Sequence, residues 1–169
     1  MVENWYRDNI WKNGQNTGVT NLIADTPYCN DMSERTSGTY VYFGAYDRVF
    51  TNKSPQYKCP SSTYGYTVAK GDITYPIALL TADEVAYAGG VYNRSNSSYY
   101  LYTGQDYWTM SPYSFSGVAA RVFRVNSGGL LTYFVADTLA AVPAVSLKPE
   151  ATVKRGTGAY NDPYVINTD

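Results

Sequence analysis

The sequence predicts an α+β fold, with short helices early in the chain and a short-stranded, mainly antiparallel sheet late. Helical apolar spacing and a capping-box pattern appear before residue 90, whereas apolar stretches separated by turn residues follow residue 98. The chain has 169 residues, of which 44% are hydrophobic, so we expect it to bury a core as a single domain, residues 1–169.

The early elements are expected to be short helices and one strand. Residues 2–13 place apolar side chains near one helical face and end in an Asn-Gly stop. The stretch TNLIAD, residues 20–25, predicts a further helical turn that ends before Pro27. Residues 26–74 are rich in Ser, Thr, Gly, Pro and Tyr and predict irregular structure with one short strand, TYVYFGAY, at 39–46.

The clearest local signal lies in residues 75–90. An apolar strand ends at Leu80, Thr81 can cap the helix that follows, and Glu84 completes a capping box. A Gly-Gly pair then ends the helix. Further strands are expected near residues 99–103, 107–110, 119–126, 129–135 and 142–147.

Charge and hydropathy exclude several partners. The chain has 13 Lys and Arg against 14 Asp and Glu, a formal charge of −1, which argues against nucleic acid and anionic lipid as partners. No run of about 18 apolar residues occurs, so we expect no direct membrane insertion by this chain. Residues 1–20 lack the pattern of a signal peptide, so any export signal or anchor is expected in a segment outside this chain.

The missing residue types weaken most enzyme classes. The chain has no histidine, which removes the commonest general base and metal ligand and makes a Ser-His-Asp arrangement impossible. It also has no SxxK motif and no glycine-rich phosphate loop. We therefore expect neither hydrolytic catalysis nor a cofactor.

Acidic residues lie close together at two places in the chain. Asp25, Asp31 and Glu34 form one group, and Asp83 and Glu84 form the other, but neither has the spacing of an EF-hand loop. We interpret them as solvated carboxylates and expect no metal site. A calcium site assembled from separate loops leaves no sequence spacing and stays an open alternative.

Cys29 and Cys59 are the two cysteines, and they lie too far apart for a CxxC redox or zinc motif. The alternatives are one disulfide or two reduced thiols. Both cysteines lie in loop sequence rich in Pro, Asn and Ser, which favours the disulfide and an oxidising compartment.

Tyrosine and arginine are concentrated in a way that suits a binding surface. The chain has 19 tyrosines but five phenylalanines, and tyrosine gives large, stiff contact area, although it also suits ordinary half-buried strands. The stretch ARVFRVNSGG, residues 120–129, places Arg121 and Arg124 on opposite faces of a regular strand.

The late region combines closely spaced core and turn residues with side chains of unrelated size between them. We call these core and turn residues the frame. They are Tyr107-Trp108-Thr109-Met110-Ser111-Pro112, then Gly117, Ala120, Val122, Phe123, Val125, Gly129, Leu131 and Val135, and finally the stretches VPAVSLKP (142–149) and GTGAYNDPYVI (156–166). Together with the upstream pieces ENWYRDNI, NLIADTPYCND, KSPQYKCP and LLTADEVAYAGGVYN, the frame resembles the variable proteins of diversity-generating retroelements, which are familiar from gut bacteria and their phages.

The resemblance implies a C-type-lectin-like fold, related to that of formylglycine-generating enzymes. It also implies a region, roughly residues 110–145, that is diversified by adenine-directed mutagenesis during reverse transcription. The variable, ligand-binding positions that it implies are Tyr113, Ser114, Ser116, Val118, Ala119, Arg121, Arg124, Asn126, Leu130, Thr132, Tyr133, Phe134, Ala136, Asp137 and Leu139. Taken singly, Leu130 and Phe134 have core packing as an alternative.

The chain departs from the family at two points. Many relatives have Gly-Val-Arg-Pro before the last core strand, but residues 140–143 here are Ala-Ala-Val-Pro, which puts in doubt a salt bridge inferred from relatives. The related enzymes use a pair of active-site cysteines, which the C-terminal half of this chain lacks, so enzymatic function by that route is disfavoured.

The expected function is therefore non-enzymatic binding of a protein or glycan on another cell or a phage target. The expected location is extracellular, on a cell surface or on a virion. A calcium-dependent lectin of fixed specificity is the alternative, and a cryptic enzyme is a third hypothesis. On the retroelement interpretation, Arg121 and Arg124 both reach solvent on the ligand side, which implies a bulge in the strand or a strand covered on both sides.

Overall fold

The computed structural model describes residues 1–94, 96–99, 101–126, 129–135, 138–159 and 161–168, with the backbone alone for 129–134. The fold is α+β, as the sequence predicts: the helices are few and short, and the strands form several small sheets that are mainly antiparallel. None of the described helices is long and apolar enough to cross a membrane.

The helical elements lie mostly in the first half of the chain. The α-helices are α1 (Val2–Tyr6), α2 (Thr17–Thr20), α3 (Gly44–Tyr46) and α4 (Ala82–Tyr87). Single π-helical turns span Arg7–Trp11 and Asp47–Thr51, and 3-10 turns span Lys12–Gly14 and Ser62–Tyr64.

The strands are short except for three in the second half of the chain. They are β1 (Ile23–Ala24), β2 (Tyr28–Cys29), β3 (Glu34–Ser37), β4 (Tyr40–Phe43), β5 (Gly65–Tyr66), β6 (Ala78–Leu79), β7 (Tyr107–Phe115), β8 (Ala120–Asn126), β9 (Gly129–Phe134), β10 (Ala140–Ala141), β11 (Pro143–Ala144), β12 (Ser146–Leu147), β13 (Val153–Arg155) and β14 (Val165–Ile166).

The chain divides into two compact units. The first comprises Met1–Thr26, Thr67–Ala78 and Pro143–Asp169. Its core is the cluster of buried Tyr6, Ile23 and Ile77, and its strand pairs are β1 with β12 and β13 with β14, both antiparallel.

The second unit comprises Pro27–Tyr66 and Leu79–Val142 and contains the region that the resemblance marks as diversified. Its main sheet has the order β3-β4-β7-β8-β9, with β10 added parallel to β7. Tyr107, Phe123 and Val125 from β7 and β8 are completely buried and pack with Ala82 and Val85 of α4. This core fixes β7 and β8 in place.

A disulfide between Cys29 and Cys59 fastens the irregular part of the second unit. Of the two alternatives that the sequence left open, the structure has the favoured one. The same cysteine ends β2, which pairs antiparallel with β5 and has Cys29 opposite Gly65.

Several local predictions are confirmed. Thr81 accepts a hydrogen bond from the Glu84 backbone amide at 3.1 Å, and the Glu84 carboxylate accepts one from the Thr81 amide at 2.7 Å, so the capping box is complete. Helical structure begins at Val2, and the predicted stop coincides with left-handed backbone at Lys12 and Asn13, with φ of 48° and 56°.

Three local predictions are wrong. The strand expected at 39–46 ends at Phe43, and residues 44–46 form α3 instead. The helical turn expected at 20–25 lies earlier, at Thr17–Thr20, because residues 23 and 24 pair instead with β12. The strand expected at 99–103 is absent from the described residues of that stretch. Tyr102 N donates to Tyr99 O at 3.0 Å, which closes a turn, and Tyr99 itself is buried.

Candidate functional site

Apart from Leu139, the predicted ligand-binding positions with described side chains lie on two neighbouring strands and the hairpin between them. β7 carries Tyr113 and Ser114, and β8 carries Arg121, Arg124 and Asn126. Ser114 lies directly opposite Arg121 in the antiparallel register. Strand pairing therefore brings these positions together in one sheet, with the hairpin loop at its end.

The hairpin loop between β7 and β8 contains Gly117, whose backbone conformation is restricted, and Val118, whose side chain is exposed. Ser116 N donates to Ala119 O at 3.1 Å, and Gly117 between them has φ of +82°, a left-handed conformation that favours glycine. Val118 follows with 96% of its surface exposed. The backbone therefore restricts position 117, whereas core packing places no demand on the side chain at position 118.

Tyr113 occupies a β-bulge. Pro112 pairs with Val122 and Ser114 with Arg121, which leaves Tyr113 as the extra residue on β7. A bulge redirects the side chains around it, and Tyr113 packs edge-on against the Phe123 ring at a centroid distance of 5.1 Å. The bulge therefore turns Tyr113 toward the face of β8 that carries Phe123.

A continuous set of rings surrounds Tyr113. We call it the aromatic cluster: Tyr40, Tyr42, Tyr46, Phe50, Tyr92 and Tyr113. Neighbouring ring centroids lie 4.3 Å apart for Tyr42 and Tyr46 and 4.6 Å apart for Phe50 and Tyr92. Phe50 is 40% exposed and the tyrosines are half-buried, so the cluster reaches from the core to the surface.

Burial keeps the inner phenols of the aromatic cluster protonated. It raises the pKa of Tyr113, and the hydroxyl of Tyr92, 3.5 Å away, adds to this rise. Burial also raises the pKa of Tyr46, and Tyr42 raises it further. At neutral pH these groups are hydrogen-bonding hydroxyls without charge.

Two arginines flank the aromatic cluster. The Arg121 guanidinium carbon lies 5.5 Å from the centre of the Tyr40 ring, and that of Arg35 lies 5.3 Å from the centre of the Tyr42 ring, both within cation–π range. Arg35 also forms an ion pair with Asp47 at 2.8 Å, and this hydrogen bonding lowers the pKa of the Asp47 carboxyl.

The resulting surface combines tyrosine, arginine and one exposed hairpin. Comparison of the chain with protein-family models, with curated proteins and with solved structures finds no match. Tyrosine and arginine are enriched at protein interfaces and dominate their hot spots.

The expectation that both arginines of β8 reach solvent on one side is wrong. β8 and β9 pair without a register shift, and the bulges lie in β7. Arg121 and Arg124 therefore point to opposite faces of a regular strand. The Arg124 side chain is 12% exposed and forms an ion pair with Asp106, so it is held against the sheet and not presented to a ligand.

Ser114 is also wrong as a ligand-facing position, because it is 1% exposed. Arg121 Nη1 lies 3.4 Å from Ser114 Oγ, so the longer side chain covers the shorter one. The Ser114 hydroxyl therefore contacts the Arg121 guanidinium and is not exposed to a ligand.

The remaining predicted positions are placed in part or not at all. Asn126 and Leu139 are half-buried. In the register of β9, Leu130, Thr132, Tyr133 and Phe134 lie opposite Val125, Phe123, Val122 and Arg121, and their side chains are outside the described part of the structure, as are residues Ala136 and Asp137.

The acidic residues expected to be solvated include two that are buried. Asp31 and Asp83 are each 3% exposed and both bind Arg48, at 2.5 and 2.8 Å. The prediction is wrong because the arginine that neutralises them is distant in sequence from both. Among the described residues, no group of three or more acidic or cysteine side chains is arranged to hold a metal ion.

Sequence reasoning missed most of the aromatic cluster. The predicted strand at 39–46 contains Tyr40, Tyr42 and Tyr46. Tyr40 and Tyr42 are two residues apart, and this alternation is a signal that could have placed both rings on one face. Phe50 and Tyr92 carry no such signal, because ring contacts between separate loops have no sequence period.

Proposed function

We propose that this chain is a non-enzymatic ligand-binding domain with a C-type-lectin-like fold, whose C-terminal region is diversified as in retroelement variable proteins. A segment outside this chain would display it on a cell or virion surface. Its ligand would be a protein or glycan on another cell or a phage target.

The observation that carries this proposal is the contrast between neighbouring positions of β7, β8 and their hairpin. The frame residues Phe123 and Val125 are completely buried, whereas Val118 at the hairpin tip is 96% exposed. Tyr113 and Arg121 lie between these extremes and join an exposed aromatic surface. A diversified binding surface requires a constant frame that stabilises the fold. It also requires a loop tip whose residues can change without loss of that stability.

Recognition would proceed by hydrogen bonding and aromatic burial. Protonated tyrosine hydroxyls and the Arg121 guanidinium supply donors, and the rings supply stiff apolar area at low entropic cost. Within the described side chains, the proposed ligand-facing set is Tyr113, Ser116, Val118, Ala119, Arg121, Asn126 and Leu139, while the β9 positions stay as predicted. No step requires a histidine, a metal or a nucleophile.

A display library tests this proposal. One library randomises Tyr113, Ser116, Val118, Ala119 and Arg121, and a matched control library randomises five exposed residues elsewhere in the same unit: Glu34, Thr36, Ser37, Asn52 and Lys58. Both are selected against one panel of surface proteins and glycans. We expect specific binders from the first library at a much higher frequency than from the second.

The folded fraction of each library, measured by protease resistance before selection, separates loss of binding from loss of fold. Equal yields of binders from two well-folded libraries would contradict the assignment of the ligand-binding face. A first library that fails to fold would contradict the separation of frame from variable positions.

A further inference from the structure

The second unit contains a cavity of about 480 Å³ beside the aromatic cluster. Phe50 and Tyr92 line it, together with Lys53, Asn93 and Arg94. This volume lies within the range of small-molecule sites, which are mostly apolar with a few polar groups that fix orientation. The cavity is therefore large enough for an organic ligand with a ring.

The charge of the cavity lining has one sign. Lys53 and Arg94 line it, and none of the described lining residues is acidic. The ion pairs of the described residues involve Arg7, Arg35, Arg48 and Arg124, so neither lining cation is neutralised by a described carboxylate. The lining thus carries two positive charges next to two aromatic rings.

Two of the residues that line the cavity have left-handed backbone. Lys53 and Asn93 both have φ of 52°, in the left-handed region that few non-glycine residues adopt. Behind Lys53, Ser54 N donates to Arg48 O at 2.9 Å, and behind Asn93, Arg94 N lies 3.4 Å from Val91 O. Both cations are therefore carried on hydrogen-bonded turns.

We propose that this cavity binds a small organic anion. A ring or apolar body would lie against Phe50 and Tyr92, and a carboxylate or phosphate would meet Lys53 and Arg94, since guanidinium groups bind both anions through paired hydrogen bonds. Among the described residues that line the cavity, none is a predicted variable position. The specificity of this second site would stay fixed while the ligand-binding face changes, and the site does not depend on the proposed function.

Three naphthalene probes of one shape test the proposal: 2-naphthoate, 2-naphthyl phosphate and the neutral 2-naphthalenemethanol. Binding is measured by calorimetry on the intact chain. We expect at least one anion to bind about tenfold or more tighter than the neutral probe, because charge-assisted hydrogen bonds are roughly twice as strong as neutral ones. The tighter anion identifies whether the natural group is a carboxylate or a phosphate.

Variants locate the binding. Lys53→Asn keeps a residue that tolerates left-handed backbone, and we expect it and Arg94→Gln each to weaken anion binding about fivefold to tenfold. The control Lys58→Gln removes an exposed cation outside the cavity and should leave the affinity unchanged. Because binding depends on charge, added salt should weaken it in the unaltered chain as well.

Equal affinity for neutral and anionic probes, absence of binding by both anions, or loss of affinity in the Lys58 control to the same degree as in Lys53→Asn would overturn the proposal. The display library probes different residues, so its outcome is independent of this one.

Discussion

Replacing Arg48 by methionine should destabilise the second unit more than any other removal of a described cation. The Arg48 side chain is 14% exposed and binds Asp31 and Asp83, whose side chains are 3% and 4% exposed. Arg48→Met keeps much of the apolar stem but leaves two buried carboxylates without a cation. Removing one partner of a buried ion pair costs about 3–5 kcal/mol.

Two backbone hydrogen bonds limit this loss. Asp31 accepts one from Ser33 N and Asp83 one from Gln56 N, each at 2.9 Å, so both carboxylates keep a donor after the substitution. We therefore expect a loss of about 3 kcal/mol, the lower end of that range. For a chain of this length, 3 kcal/mol corresponds to a Tm lower by roughly 6–12 °C.

Urea denaturation and thermal melting followed by circular dichroism measure this effect. The control is Arg35→Met, which removes an exposed cation from its pair with Asp47 and should cost much less, because water and salt screen that pair. Adding Asp31→Asn and Asp83→Asn to Arg48→Met should restore part of the stability, since neutral amides need no counter-charge. An Arg48→Met chain as stable as Arg35→Met would refute the reasoning.

Three further predictions concern the disulfide, alkaline pH and calcium. Replacing Cys29 and Cys59 by alanine should lower the free energy of unfolding by about 3–4 kcal/mol, because the sequence separation of 30 closes a long loop in the unfolded chain; a change too small to detect in urea would contradict this. Burial raises the pKa of Tyr107 and Tyr113, so the unfolded phenols ionise first, near pH 10. The contribution of these two phenols to the free energy of unfolding is therefore complete below pH 10 and is lost as pH rises through their folded pKa values. Ultraviolet titration at 295 nm should show that both ionise only when the chain unfolds. Tyr113→Phe should remove one of these two late-ionising phenols. A chelator should leave the Tm unchanged, because Arg48 and backbone amides already satisfy Asp31 and Asp83, and a Tm that falls with EDTA and returns with calcium would favour the lectin alternative.

Local sequence signals predicted the elements that depend on local chemistry. The capping box at Thr81 and Glu84 formed as expected because its partners are three residues apart. β8 and β9 lie within one residue of the predicted ranges, whereas β7 begins at the predicted residue but extends five residues beyond the predicted end. The α+β fold class could be predicted from the sequence for the same reason.

Contacts between distant residues were not accessible in this way. Arg48 lies 17 residues from Asp31 and 35 from Asp83, so no local pattern links the three charges. The bulge at Tyr113 depends on how β7 fits β8, which is a property of the pair. Val135, which the resemblance places in the frame, is 56% exposed, so it lies outside the buried core of the second unit.

Arg124 shows what the structure adds to the candidate site. Sequence parity placed it on the face opposite Arg121, and the retroelement interpretation moved it to the ligand side. The regular pairing of β8 with β9 and the ion pair with Asp106 support the simple parity argument. On the proposed function, diversification at position 124 would replace a salt bridge as well as a surface side chain.

Sequencing the DNA beside the gene decides whether this segment is diversified. We predict a near-copy of the segment that encodes residues 110–145, next to a reverse transcriptase gene. The copy should differ from the gene mainly at adenines in the codons for the variable positions, such as those for Tyr113, Val118 and Arg121. A copy whose differences fall equally on the codons for Phe123, Val125 and other frame residues, or the absence of any copy, would contradict it.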